Sequence, residues 1–476
     1  MSDSYFENKE YLIPKHVSYR TFFAETRKSK SFILNSQTSS FVSLSGLSSD
    51  LWDIISQNKT YSSLYDWATK KRCLESLKSF LSKLENLGLI VLKENKKQEK
   101  QHQEKEEKIV ILNKNSNIGQ PEIEHWYDKS GFLYSLFIEL SYKCNLNCIH
   151  CYNQKDYYDE LSFAQVKKII DEAYEIGIFE VTLSGGECTL AKDFLKIAKY
   201  VKSKHLVLNI ITNGQKINDD EEFRKEIIKI VPDRVGISLY SMKPETHNDI
   251  TQIDGSFHKT LNTIKILKKE NINLQIKTFL MNKNADEYEK IIAFAGANNI
   301  PIQFDTQMLP QWENDIRHLL QCSEEQLKKL YTDFRSPLYI KKFDFKSKKH
   351  KNDWLCKGGV SFLSVSPAYK LSPCSSMKNF SEDLSNNSII KIWNNRDIAG
   401  SLSKWRRTIK YKNIKCNKKK YCKFCLLCSK VVSSGSGVVN FLEKNDTYAN
   451  GQNEQCLMAQ IKEYAFNKVK DVKKVL

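Results

Sequence analysis

The chain has 476 residues, 41% of them hydrophobic, which is enough apolar surface for real cores, so disorder is not the default. Its 74 Lys and Arg exceed 56 Asp and Glu by 18 charges, but the lysines alternate with glutamates, so the field serves an acidic peptide or solubility as well as nucleic acid. No stretch approaches the roughly 18 apolar residues of a membrane span, and the polar first 20 residues hold no signal core, so no membrane is expected and the expected location is the cytoplasm.

Residues 1–94 read as the first unit. Strand patterns at 17–23, 31–34 and 40–44 precede three helical patterns, marked by Leu51, Trp52 and Ile55, by Leu64 and Ala68, and by Leu74, Leu77, Leu81 and Leu84. The last ends near Gly88, a residue suited to a helix C-terminus. Strands followed by three helices predict a small winged helix-turn-helix-like domain. No helix gathers Arg, Asn and Gln on one face as base readers would be, so no nucleic-acid partner is expected. Residues 95–130 read as a charged linker, because 93–108 carries no apolar face.

Residues 131–335 repeat apolar run, loop and amphipathic helix. Strands are expected at 136–140, 180–183, 207–211, 234–239, 274–280 and 302–305, with helices such as 163–176, where Val166, Ile169, Ile170 and Ala173 form one stripe. Right-handed crossovers put every strand C-terminus on one rim, so the loops there should converge. After the first strand comes Cys144-Asn-Leu-Asn-Cys148-Ile-His-Cys151. Three thiols so spaced can hold three irons of a [4Fe–4S] cube and leave one iron open. A structural zinc site with His150 or a distant side chain as fourth ligand is the alternative. After the second strand stands Ser184-Gly185-Gly186-Glu187, and after the third Thr212-Asn213-Gly214. Ser238 and Thr278 sit on the fourth and fifth strands, and His247 and Asp249 follow the fourth.

These motifs together resemble the radical S-adenosylmethionine (radical SAM) enzymes. The resemblance implies a six-strand partial (β/α)6 barrel. It also implies a [4Fe–4S] cluster on Cys144, Cys148 and Cys151 whose open iron chelates SAM. Gly185, Gly186, Glu187, Asn213 and Ser238 then become SAM contacts, with the Glu187 carboxylate accepting from the SAM ammonium. Reductive cleavage of SAM in that family yields a radical that takes hydrogen from an unactivated C–H bond. No residue of the chain is assigned a catalytic role.

Residues 336–476 hold seven cysteines: Cys356, Cys374, Cys416, Cys422, Cys425, Cys428 and Cys456. Clustered thiols in a reducing compartment read as metal ligands rather than disulfides, and spacing alone leaves a zinc knuckle open. With Ser366-Pro-Ala-Tyr369-Lys-Leu-Ser-Pro-Cys374 between the first two, the order resembles the SPASM extension of radical SAM peptide maturases. That resemblance implies one or two auxiliary [4Fe–4S] clusters on these seven residues. Tyr369 stands where the family has glycine, and the quartet spacing departs from the family pattern. Cys73, Cys188 and Cys322 fall outside both groups.

All three parts resemble the maturases of ribosomally made peptides. The implied fold class is α/β, with the winged unit as a leader-peptide recognition domain. The implied partners are a precursor peptide with its leader and an electron donor such as flavodoxin or ferredoxin. The implied reaction is cysteine sulfur-to-α-carbon thioether formation in bacteriocin maturation. Peptide epimerisation or carbon–carbon cyclophane formation needs nearly the same domains. A metal- or redox-sensing DNA-binding regulator would leave the βα repeat unexplained.

Overall fold

A computed structural model describes residues 10–22, 29–38, 40–57, 60–92, 121–153, 159–306, 317–339, 354, 356–408 and 454–472. Near the N-terminus, strands β1 (Tyr11–Leu12), β2 (Val17–Phe22), β3 (Lys30–Asn35) and β4 (Ser40–Ser45) precede helices α1 (Leu47–Ser56), α2 (Tyr61–Lys70) and α3 (Leu74–Asn86), and strand β5 (Val91–Leu92) follows. The antiparallel order is β2-β3-β4, and β5 pairs with β1. The helices close over Ile33 with Trp52, Leu64, Leu77 and Leu84, all of them buried. The α3 terminus is tied by the Gly88 and Leu89 amides, which donate to the Glu85 and Leu84 carbonyls.

Part of the expected linker is structured. Helix α4 (Pro121–Ser130) buries Ile123 and Tyr127 against Phe22 and Phe32 of the N-terminal sheet and against Phe179 and Val207. Residues 93–120 lie outside the described residues. Apolar periodicity was weak in α4 because its buried contacts are few and aromatic.

Strands β6 (Ser135–Glu139), β7 (Glu180–Ser184), β8 (Val207–Thr212), β9 (Arg234–Ser238), β10 (Leu274–Phe279) and β11 (Ile302–Asp305) are parallel neighbours in chain order, within two residues of the expected positions. Helices between them include α5 (Phe163–Glu175), α6 (Phe194–Ser203), α7 (Gln215–Asp219), α8 (Glu221–Ile230), α9 (Pro244–Thr251), α10 (Ser256–Lys269) and α11 (Tyr288–Ala297). Leu136, Ile138, Val181, Leu183, Leu208, Ile210, Val235 and Ile237 form one face of the sheet and share a core with α5, α6 and α8. The register puts Glu139 beside Ser184, Thr182 beside Asn209, and Ser238 beside Lys277 on the other face. One apolar and one polar face make this parallel sheet alternate, where a sheet covered on both sides would read as continuous apolar runs.

The sheet does not stop at β6. Strand β12 (Phe362–Val365) adds in parallel to β6, and β13 (Lys370–Ser372) and β14 (Glu382–Asp383) continue antiparallel, giving nine strands in the order β11-β10-β9-β8-β7-β6-β12-β13-β14. The first part of the cysteine-rich region therefore shares the sheet of the βα repeat. The sequence hid this because a four-residue strand without a crossover helix carries no period of its own. Helices α12 (Arg317–Leu320), α13 (Glu324–Thr332), α14 (Ile389–Asn394) and α15 (Gly400–Thr408) follow, and α16 (Glu454–Val472) packs on α13. Among the described residues no helix is long and apolar enough to cross a membrane.

Candidate radical site at the strand C-termini

The three thiols lie in the loop that leaves β6. Its backbone is pinned from outside: the Asn147 and Ile149 amides donate to the Thr251 and Ile250 carbonyls, both 3.0 Å. These are carbonyls at the end of α9 that have no partner within their own helix, so the loop caps the helix and the helix shapes the loop. Cys144 is exposed, and Cys148 and Cys151 are half-buried. Cys144 Sγ accepts from the Leu146 amide at 3.4 Å and from Asn213 Nδ2 at 3.8 Å. Burial pushes the Cys148 thiol up to about 12, with the neighbouring thiols of Cys151 and Cys144 adding to the rise. A bound cation reverses that penalty and deprotonates the thiols outright.

The Gly185-Gly186 pair has a backbone reason. Gly185 has φ +134°, and a Cβ there would stand 2.2 Å from the Ser141 carbonyl oxygen. A Cβ on Gly186 would stand 2.3 Å and 2.5 Å from the Tyr142 and Lys143 oxygens. Stripped of side chains, this turn passes against the entry to the cysteine loop. There the Gly186 and Glu187 amides donate to Ser141 and Lys143 oxygens, both at 2.8 Å. The close approach that the glycines permit is made to the cysteine loop itself.

Glu187 serves the same junction. Its carboxylate, 1% exposed, accepts from Thr189 N and Oγ1, from Thr212 Oγ1 at 2.7 Å and from the Asn213 amide at 2.7 Å. It ties the turns after β7 and β8 together; an ammonium partner would have to share these oxygens. Asn213 then reaches the cysteine loop, donating to Asn145 Oδ1 at 2.8 Å. Glu187, Asn213 and the cysteine loop thus form one hydrogen-bonded unit built from three separate strand ends.

Ser238 ends β9, half-buried, with a hydrogen bond to the Tyr240 side chain. Thr278 faces the other way: its hydroxyl donates to the Leu239 carbonyl at 2.7 Å and is spent between strands. His247 is buried behind Tyr240, whose amide it accepts at 3.3 Å through Nδ1. Asp249 pairs with Lys283 on the surface. His247 turns inward because α9 puts its buried face toward Tyr240, and Asp249 lies on the opposite, exposed face. Cys188 is buried and donates to the Ile211 carbonyl at 3.2 Å, and Cys322 is buried elsewhere.

His150 was missed as a site feature beyond zinc ligation. Its ring stacks on Phe279 at 5.3 Å and meets Tyr240 edge-on at 4.8 Å. Burial lowers its pKa to about 4, so it is neutral. Two buried polar atoms flank the loop, His150 Nδ1 and Asn153 Oδ1, and neither meets a partner among the described residues. Three thiols on one loop, amides aimed at sulfur and two unsatisfied polar atoms fit an iron–sulfur cluster with a polar ligand beside it. No three Cys, His, Asp or Glu side chains of the described residues converge on a single ion-sized point.

Of the C-terminal seven, Cys356 and Cys374 are half-buried, and Cys356 Sγ accepts from the Gly358 amide at 3.3 Å. Cys416, Cys422, Cys425 and Cys428 lie outside the described residues. Cys456 belongs to α16, with its side chain outside them. Tyr369 has φ +55°, which explains why glycine suits that turn and marks a strained substitution here.

Residues 138–295 match the radical SAM superfamily. The chain is 35% identical over 133 residues to a probable GTP 3′,8-cyclase of Thermococcus kodakarensis, covering 27% of this chain and 42% of that protein. It is 31% identical over 150 residues to the antilisterial bacteriocin subtilosin biosynthesis protein AlbA of Bacillus subtilis, covering 31% and 33%. The chain thus spans less than half the length of these relatives. In solved structures, Streptococcus suis SuiB bound to S-adenosylmethionine aligns over 93% of this chain and 99% of its own, at TM-score 0.52 and 13% identity, a likeness of fold.

Proposed function

We propose that this chain, whose residues 138–295 match the radical SAM superfamily, is an enzyme that modifies a ribosomally made precursor peptide, joining a cysteine sulfur to an α-carbon in bacteriocin maturation. One observation carries the reading: the cysteine loop, the Gly185-Gly186-Glu187 turn and Asn213 form a single unit at one end of the sheet, in a segment related to AlbA.

In this reading Cys144, Cys148 and Cys151 hold the [4Fe–4S] cluster, with Gly185, Gly186, Glu187, Asn213 and Ser238 bordering SAM. Cluster and SAM supply the one-electron chemistry that opens an unactivated C–H bond. The chain's own part is to hold and shield. Asn213 orients Cys144, Glu187 holds the turn rigid, and the Phe279–His150–Tyr240 stack walls one side. The C-terminal cysteines hold one or two auxiliary clusters, and an electron donor such as flavodoxin or ferredoxin reduces the enzyme. Residues 1–94 take the leader of the precursor, with β4 as the receiving edge because β3 covers its other side.

Replacing Cys144, Cys148 and Cys151 together by Ala is expected to abolish SAM cleavage while the C-terminal region still binds iron. Continued formation of 5′-deoxyadenosine by that variant overturns the assignment. Co-expression with a candidate precursor should remove a pair of hydrogens per cross-link in the mass spectrum. An unchanged mass with solvent deuterium uptake points to epimerisation instead.

A further inference from the structure

Lys378 meets the cysteine loop from 236 residues away in sequence. The β12–β13 hairpin, added beside β6, carries the chain past Cys374 to the end of β6. There Lys378 Nζ donates to the Tyr142 hydroxyl at 2.8 Å, and Tyr142 donates to Glu139 Oε2 at 3.0 Å. The Tyr152 hydroxyl reaches Glu139 Oε1 at 3.4 Å. The ammonium stands 4.6 Å from the Tyr142 ring centre and 5.9 Å from that of Tyr152. These two tyrosines bracket the cysteine loop, one before Cys144 and one directly after Cys151.

The cation is held, not loosely tethered. Met377 before it and Phe380 after it are buried, and Phe380 packs on Trp405 at 5.3 Å. Glu139 is 1% exposed at the end of β6 and supplies the counter-charge from behind Tyr142. Tyr142 stands between the two charges, accepting from Lys378 and donating to Glu139, so the ammonium lies on the outer side of Tyr142, near the ring of Tyr152, the residue after Cys151.

We propose that Lys378 sets the reduction potential of the cluster on the cysteine loop: its ammonium, clamped on Tyr142 and near the ring of Tyr152, the two tyrosines that bracket the loop, favours the reduced, more negative cluster. This rests on the reading that Cys144, Cys148 and Cys151 hold that cluster. The step is a one-electron reduction by an external donor, with no bond made or broken. Charge near a cluster is one of the levers on its potential, and partial burial keeps solvent from screening it. Lys378 acts in this role through its charge, held by Tyr142, and not as a cluster ligand. Because it arrives on the C-terminal segment, ease of reduction depends on that segment being seated against β6.

The test uses anaerobically reconstituted full-length wild type, Lys378→Met and Lys378→Arg, poised at set potentials with dithionite and read by electron paramagnetic resonance. The signal whose shape changes on adding SAM belongs to this cluster. Lys378→Met should move its midpoint to more negative potential, leaving a several-fold smaller reduced fraction at a fixed potential. Lys378→Arg should match wild type, and SAM-insensitive signals should stay put in both. An unmoved midpoint in an iron-replete Met variant, or an equal shift in the SAM-insensitive signals, overturns the proposal. Should Lys378→Met take up too little iron, Lys378→Gln, which can still donate to Tyr142 without charge, carries the same comparison. A wild-type protein without any SAM-responsive signal sinks the cluster reading itself.

Discussion

Gly186 shows how a residue choice reaches the site through backbone alone. Nothing but hydrogen fits between its Cα and the carbonyls of Tyr142 and Lys143, so any side chain must push the turn after β7 away from the cysteine loop. Gly186→Ala should lower stability by about 2 kcal/mol or more, the range of a buried steric clash, and loosen the loop that carries the thiols. Urea unfolding and iron retention after gel filtration measure the two effects; wild-type values for both would show that the loop has room to move. Tyr369 is the converse case, where a left-handed turn is kept without glycine and its ring packs on the main core.

Elements are held by their ends. Helix α13 starts with Ser323 and Gln326 bonding each other's backbone amides and ends at Asp333, which binds Arg335 and accepts from Tyr288 of α11 at 2.5 Å. The Arg335 guanidinium, with Tyr288 assisting, holds the Asp333 carboxyl at about 2. A carboxylate depressed below its unfolded value of about 4 stabilises the fold above that value, and the contribution fades as pH falls toward 2. Asp333→Asn should therefore cost about 1 kcal/mol near neutrality, allowing for solvent around Arg335, and the gap to wild type should close on acidification. A gap constant from pH 6 to about 2.5 would rule out this origin. At β4, Ser43→Pro removes an amide beside the edge offered to a leader strand. It should weaken precursor binding and leave SAM cleavage without peptide intact. Binding undiminished in a calorimeter would remove β4 from the leader proposal.

Across the whole molecule, the N-terminal unit and the cysteine loop sit at opposite ends of the same sheet. The Tyr19 amide donates to His205, just ahead of β8, and Ser18 donates to Asp233, just ahead of β9. Asp233, 1% exposed, also accepts the Leu208 amide at 2.8 Å and pairs with Lys202 at 2.6 Å. A leader bound at β4 must consequently send its core up the height of the sheet to reach the thiols. Asp233→Ala strands Lys202 in this interface without its carboxylate, which should cost about 3–5 kcal/mol. The N-terminal unit should then unfold or detach at lower denaturant than the sheet, giving two transitions where wild type gives one. A single transition at the wild-type midpoint would show that the aromatic contacts of Phe22, Phe32 and Tyr127 suffice alone.

Periodicity and local chemistry were enough to read from sequence the six parallel strands, the three-helix N-terminal unit and the cysteine loop, because each is specified within a few adjacent residues. Val166 through Ala173 announce α5 by spacing alone, and Ser162 with Gln165 caps it. The tertiary structure alone decided three things. Glu187 is consumed by Thr189, Thr212 and Asn213, His247 turns inward behind Tyr240, and β12 brings Lys378 to Tyr142. Each depends on which strand ends become neighbours, a pairing set by crossover packing and sheet order over tens to hundreds of residues. A single carboxylate or lysine carries no mark in the sequence of the partner it will meet across that distance.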